Sequence, residues 1–145
     1  MYRRDSNYLL AFTGGLSYLF NAYVAYQFGS VSTAFASLGL ALSSIWFHIA
    51  RDDTSFWMDQ MFVHAYGSIA LKESWDRGFI ELGLVILGML FSTLLYYAGQ
   101  MGNCYTFHPE LEVATAYHAS LHMGSAILVS SVLAGSNVLL LTDVR

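Results

Sequence analysis

The chain has 145 residues, 56% hydrophobic and only 11% charged, and its mean hydropathy is +0.50. A soluble domain carries roughly 25% charged residues, so the polar surface that keeps a globule in water is missing and an integral membrane protein is expected. A net charge of −4 on scattered carriers offers no basic face for nucleic acid, and the single cysteine, Cys104, excludes an intrachain disulfide and a cysteine-built zinc site.

A bilayer core of roughly 30 Å needs about 20 apolar residues per helix. The start, Met1-Tyr-Arg-Arg-Asp5, is basic, but the apolar run behind it is too long for the core of a signal peptide and lacks a small-residue cleavage site. Residues 8–28 are therefore read as a first span that stays, with Gly14-Gly15 where a neighbouring helix can approach closely. Gly29-Ser30 makes a very short turn. Residues 31–50, rich in Ala, Ser, Gly and Leu, form a second span expected inside the bundle rather than against lipid. In the loop Arg51-Asp-Asp-Thr-Ser55, Thr54 or Ser55 is expected to cap the third helix. That span, 56–71, is short and carries Asp59 and His64, and Lys72-Glu-Ser-Trp-Asp-Arg77 reads as a charged connection. Residues 78–98 form the fourth span, with Tyr96-Tyr97 near its end as interfacial aromatics. Gly99 to His108 is a polar loop. Pro109 suits the first helical position of the fifth span, 111–141, and Glu110 and Glu112 suit its positive end. The fold class expected is all-α: one polytopic membrane domain over 1–145 with five transmembrane helices. Basic residues do not orient it, since Arg3, Arg4 and Arg51 fall on one side and Lys72, Arg77 and Arg145 on the other.

Helical residues four apart share a face. That pairs Ser44 with His48, and His118 with His122. Two imidazoles on one face can hold one metal ion, and a third His from another helix leaves one position of a tetrahedral zinc open, which is the arrangement of a hydrolytic site. Five spans bring the end of the second helix, the start of the third and the start of the fifth to one side of the bilayer. His48, Asp59, His118 and His122 then lie at comparable depth. Ionisable residues inside spans are costly and face a partner or a cavity by default. Each residue also has a plainer reading: inter-helix hydrogen bonds for His118 and His122, an interfacial place for His48, an ion pair with Arg51 for Asp59, and hydrogen-bonding glue for Ser44. The functional readings are a shared metal for the histidine pair, a base acting on a metal-bound water for Asp59, and a donor to a developing oxyanion for Ser44. His64 is expected to be packed and hydrogen-bonded, and His108 solvated in its loop. Thr115 and Ser125, three residues either side of the pair, are placed for hydrogen bonds behind the ligands.

Taken in order, Ser44-x-x-x-His48, Asp59 eleven residues on, and His118-x-x-x-His122 in the last helix resemble the CREST superfamily. That group contains the alkaline ceramidases, the adiponectin/progestin-type receptors and the GPI-anchor lipid-remodelling proteins. The resemblance implies a zinc on His48, His118 and His122, with a water in the fourth position in contact with Asp59 and with Ser44 nearby. It also implies a ceramidase-like or lipase-like hydrolysis of a lipid amide or ester within the membrane, in which Asp59 moves the proton and Ser44 supports the oxyanion. The family usually has seven spans. Two fewer keeps the start of the last helix on the zinc side, and the absent pair lies between the third and last helices, where the family builds part of its lipid pocket. A second copy or another protein is expected to complete that pocket. Two alternatives stand beside this reading. One is a zinc-containing lipid sensor or receptor with little turnover; the other is an accessory subunit of a larger membrane complex whose histidines bind haem or pigment.

Overall fold

The computed structural model describes residues 7–142, with side chains described through residue 135. Arg3, Arg4, Arg145 and the basic start lie outside the described residues. The chain is all-helical, with no strand among the described residues. It consists of α1 (Tyr8–Gln27), α2 (Val31–Ala50), α3 (Asp53–Arg77), α4 (Phe79–Gly102) and α5 (Leu111–Thr142), with one 3-10 turn, Tyr105–Phe107, before α5.

Short connections force neighbouring helices to run antiparallel. Between α1 and α2, Gly29 takes φ 74°, a left-handed conformation that a residue without a Cβ adopts readily. The Ser30 amide then returns to the Ala25 carbonyl at 2.9 Å and the Gly29 amide to that of Tyr26 at 3.1 Å, satisfying carbonyls that the helix end leaves open. The α3 cap is Asp52 rather than Thr54 or Ser55: its carboxylate accepts the Ser55 amide at 2.7 Å. A full negative charge at the positive end of a helix bonds its orphan amide more strongly than a hydroxyl does. The expected charged connection over 72–77 is instead the end of α3. Lys72–Asp76 at 2.7 Å and Glu73–Arg77 at 3.6 Å are pairs four residues apart, which support helix where a purely apolar pattern has already ended. Gly78 alone makes the turn. Pro109 lies just outside α5; the Glu110 carbonyl accepts the Ala114 amide at 3.0 Å and so opens the helix.

Two segments, Val31–Ala50 and Phe79–Phe107, are long and apolar enough to cross a membrane. α1, α3 and α5 interleave their apolar residues with Asn, Ser, Thr, His and charged groups. α2 packs against both α1 and α3, and α5 covers the other flank of α1. Half of the α2 span is buried, whereas α4 turns nearly all of its surface outward. Small residues, among them Ala25, Ala41, Ala70 and Ala126, share the core with Leu40, Val129 and Leu133 and let the helix axes come close.

Two polar knots hold the bundle. The fully buried Asn21 of α1 donates to the Ala126 carbonyl (3.1 Å) and the Ser130 hydroxyl (2.8 Å) of α5, and its Oδ1 accepts from Ser37 of α2 (2.6 Å) and Tyr66 of α3 (3.1 Å). One amide thereby uses its full bonding capacity on three neighbouring helices. At the end opposite His48, Glu73 accepts from Ser30 (2.6 Å) and Ser32 (3.0 Å), while Arg77 reaches the Leu133 carbonyl at 3.3 Å. α3 and α5 barely meet, and on the His48 side of the Asn21 knot a cavity of about 1070 Å³ lies between them, with α4 as its outer wall.

Candidate metal centre

The geometry begins with Asn7. Its side chain caps α1 by accepting the Leu10 amide at 3.0 Å and donates to Thr115 Oγ1 of α5 at 2.8 Å, while its own amide donates to the His48 carbonyl at 2.8 Å. One residue thus joins the start of α1, the end of α2 and the second turn of α5. His48 sits in the last turn of α2, 1% exposed. His118 and His122 lie one turn apart on α5 and face it. The ring centroids are 4.9 Å apart for His48–His118, 5.3 Å for His48–His122 and 4.8 Å for His118–His122. The three rings therefore form a nearly equilateral triangle.

One ligand atom from each of these histidines lies within 4.8 Å of the other two, so the three are close enough to hold a metal ion. Nitrogens bound to one tetrahedral ion at about 2.0–2.1 Å stand roughly 3.3 Å apart, a difference that side-chain rotation can close. The chemistry of the donors fits as well. His48 Nδ1 and His122 Nδ1 are buried without a hydrogen-bond partner among the described residues, a costly condition for a polar nitrogen. A shared cation would engage a nitrogen on each ring. A set of neutral imidazoles suits zinc, copper, iron or nickel, and is poor for the oxygen-seeking magnesium and calcium.

The other expected site residues gather around the same point. Asp59, 7% exposed in the second turn of α3, accepts a hydrogen bond from Ser43 at 3.2 Å. Ser44, one turn before His48, is 2% exposed, and its Oγ has no partner among the described residues. Asp59, Ser44, His118 and His122 all line the large cavity, with His48 packed behind them against both α5 rings. From that polar end the cavity runs between α3, α4 and α5 past the apolar positions Gly67, Ala70, Val85, Gly88 and Leu128, and its lining also includes Gln60, Ser92, Thr93 and Gln100. Its volume is at the upper end for a small-molecule pocket, about 300–1,000 Å³.

His64, expected to be packed, is exposed on the cavity wall, with its Nδ1 at 2.7 Å from the Gln60 carbonyl. That contact uses a carbonyl of its own helix, so the ring needs no second helix to satisfy it. His108, expected in solvent, also borders the cavity, its Nδ1 accepting the Glu110 amide at 3.1 Å. Thr115 and Ser125 do bond at the site, to Asn7 and Tyr18 respectively.

Asn7 and Tyr18 have no counterpart in the sequence expectations, and Gly14, which also borders His122, stands there only as a point of close helix approach. For Asn7 the signal was available, since an Asn immediately before an apolar run is a helix-cap signature. Tyr18 carries no such signal, because any helix in a membrane has aromatics. The chain matches no family model, no curated protein and no solved structure.

Proposed function

We propose that this chain is a five-span integral membrane protein and an intramembrane zinc-dependent hydrolase of a lipid amide or ester, a shortened relative of the CREST superfamily. The observation that carries the reading is the meeting of three imidazoles from two helices within reach of one ion, at the polar end of a cavity that Asp59 and Ser44 also line. The order of those residues along the chain, and their places on the second, third and last helices, agree with the family pattern.

His48, His118 and His122 would hold the ion as neutral ligands. A zinc ion there would supply Lewis-acid activation of the scissile carbonyl and of the attacking water near neutral pH. Asp59, oriented by Ser43, accepts a proton from the attacking water and returns it to the leaving amine or alcohol. Ser44, whose hydroxyl is uncommitted among the described residues, donates to the developing oxyanion. The apolar length of the cavity takes an acyl chain and excludes bulk water. Where family members have two further helices, a second copy or another protein completes the wall.

Membrane insertion is supported by what α1 and α4 leave outside. Phe12, Leu16 and Phe20 of α1 and Phe79, Ile80, Leu87 and Leu94 of α4 are all exposed. In water a surface of that extent drives association; in a bilayer it is the solvated face. Haem is less well suited, because three mutually packed rings leave no slot for a macrocycle between any two of them.

The test is elemental analysis of detergent-purified protein, together with turnover of ceramides, phospholipids and acyl esters. Wild type is expected to carry about one zinc per chain and His118→Ala/His122→Ala none. Asp59→Asn is expected to keep its zinc while turnover falls by at least 100-fold, on the order of the contribution of a general base. No zinc in freshly purified wild type, and no uptake on adding it, would sink the hydrolase. Zinc without turnover on any of these lipids would move the protein to the sensor class.

A further inference from the structure

Residues of α1 border the histidine triangle, although α1 supplies no ligand. Gly14 and Tyr18 are four apart and therefore share one face of the helix. At Gly14 an added Cβ would come within 3.0 Å of His122 Cε1 and Nδ1. One turn further on, the Tyr18 ring meets the His122 ring edge-on, with centroids 5.8 Å apart at 62°. The two positions grip the His122 imidazole on adjacent sides.

The Tyr18 hydroxyl is fixed with a definite sense. Ser125 Oγ donates its one proton to the His122 carbonyl at 3.0 Å. In its contact with Tyr18, also 3.0 Å, Ser125 must therefore accept, and the phenol donates. The far side of the Tyr18 ring is packed edge-on by Tyr66, with centroids 5.6 Å apart at 69°. Tyr66 in turn donates to Asn21 Oδ1 at 3.1 Å. A continuous chain of contacts thus runs from the saturated Asn21 knot to one metal-ligand candidate. Tyr18 itself is 6% exposed and borders the cavity.

From this geometry we infer that Tyr18 is a positioning residue for the metal centre: acting through Ser125 and by ring contact, it holds His122 in its ligating orientation. The inference rests on the metal reading proposed above. Both α1 contacts fall on the His122 ring, so α1 acts as a fixed wall against which the α5 pair is set.

The test uses the full chain in detergent and reads metal directly. Wild type, Tyr18→Phe, Ser125→Ala and the double variant are stripped of metal and titrated with Co²⁺, whose visible absorption reports ligand geometry, and then with Zn²⁺ in competition. Tyr18→Phe keeps the ring and loses the hydroxyl. Each single variant is expected to weaken metal binding roughly 10-fold, toward the low end for residues that orient ligands, and to shift the cobalt bands. The double variant is expected to match the worse single one, since both changes break the same bond. A purely structural role would lower the unfolding midpoint of metal-free protein while leaving affinity and spectrum as in wild type, and that result overturns the inference. Ser125→Ala, which removes a single hydroxyl, gives the same decision should Tyr18→Phe fail to fold. Wild type that takes up no metal overturns the metal reading and this inference together; metal-binding wild type with unaltered variants overturns this inference alone.

Discussion

At Gly14 an added Cβ would lie 2.5 Å from Ser44 Oγ and 3.0 Å from two atoms of the His122 ring. Gly14→Ala should raise helix propensity by roughly 1 kcal/mol and cost about 1–3 kcal/mol in overpacking. The net cost to the fold is about 0–2 kcal/mol, while the displacement falls on the site. Helical content is expected to change little, the unfolding midpoint to fall modestly and metal affinity to drop at least 10-fold, of the order seen when groups behind a ligand are disturbed; isothermal titration with Zn²⁺ on the metal-free variant checks it, and wild-type affinity would count against this close packing. The residues of the candidate site were legible because ionisable groups in apolar segments have few places to be. His48, Asp59, His118 and His122 had to find one another or water. Gly14 was legible only as a point of close helix approach. What approaches it depends on the register of α1 against α2 and α5, which no local pattern encodes.

At the level of the helix, the turns were easy to find and the caps were not. Gly29 and the αL residue Arg51 end α1 and α2 where the apolar runs stop. α3 outlasts its apolar run because ion pairs four residues apart carry it on to Arg77. The partners of Asn21 were beyond reach of the sequence as well, since its four bonds end on residues from Ser37 to Ser130. Inter-helix hydrogen bonds in membrane proteins average about 0.6 kcal/mol each, so four amount to about 2 kcal/mol. Asn21→Leu is expected to destabilise the bundle by about that much. The serine hydroxyls can turn back to carbonyls one turn earlier in their own helices, but the Tyr66 hydroxyl, at the tip of a rigid ring, has no such fallback. Thermal unfolding in detergent measures the effect, and a midpoint equal to wild type would show that the knot contributes nothing net.

For the molecule as a whole, the decisive property is parity. An antiparallel succession of five helices sets the end of α2 and the starts of α3 and α5 at one end, which is what lets histidines 70 residues apart in the chain come together at all. The cavity follows from the same arrangement: α3 and α5 barely meet and α4 spans the opening between them. Its existence could not be read from the sequence, because a gap between helices leaves no mark in the periodicity of any one of them. If all five helices cross a bilayer, Cys104 in the α4–α5 connection shares a side with the histidines, and Lys72, near the end of α3, lies on the other. Cys104 is the only thiol in the chain, so a membrane-impermeant maleimide added outside sealed, uniformly oriented vesicles distinguishes the two sides. Wild type and Lys72→Cys in a Cys104→Ser background are expected to label from opposite faces. Lys72 is well exposed and pairs with the likewise exposed Asp76, and exposed pairs contribute little, so the substitution leaves the fold in place. Labelling of both positions from the same face would mean that α4, the one helix between them, lies along the membrane instead of through it. The cavity would then open toward the headgroups rather than the hydrocarbon.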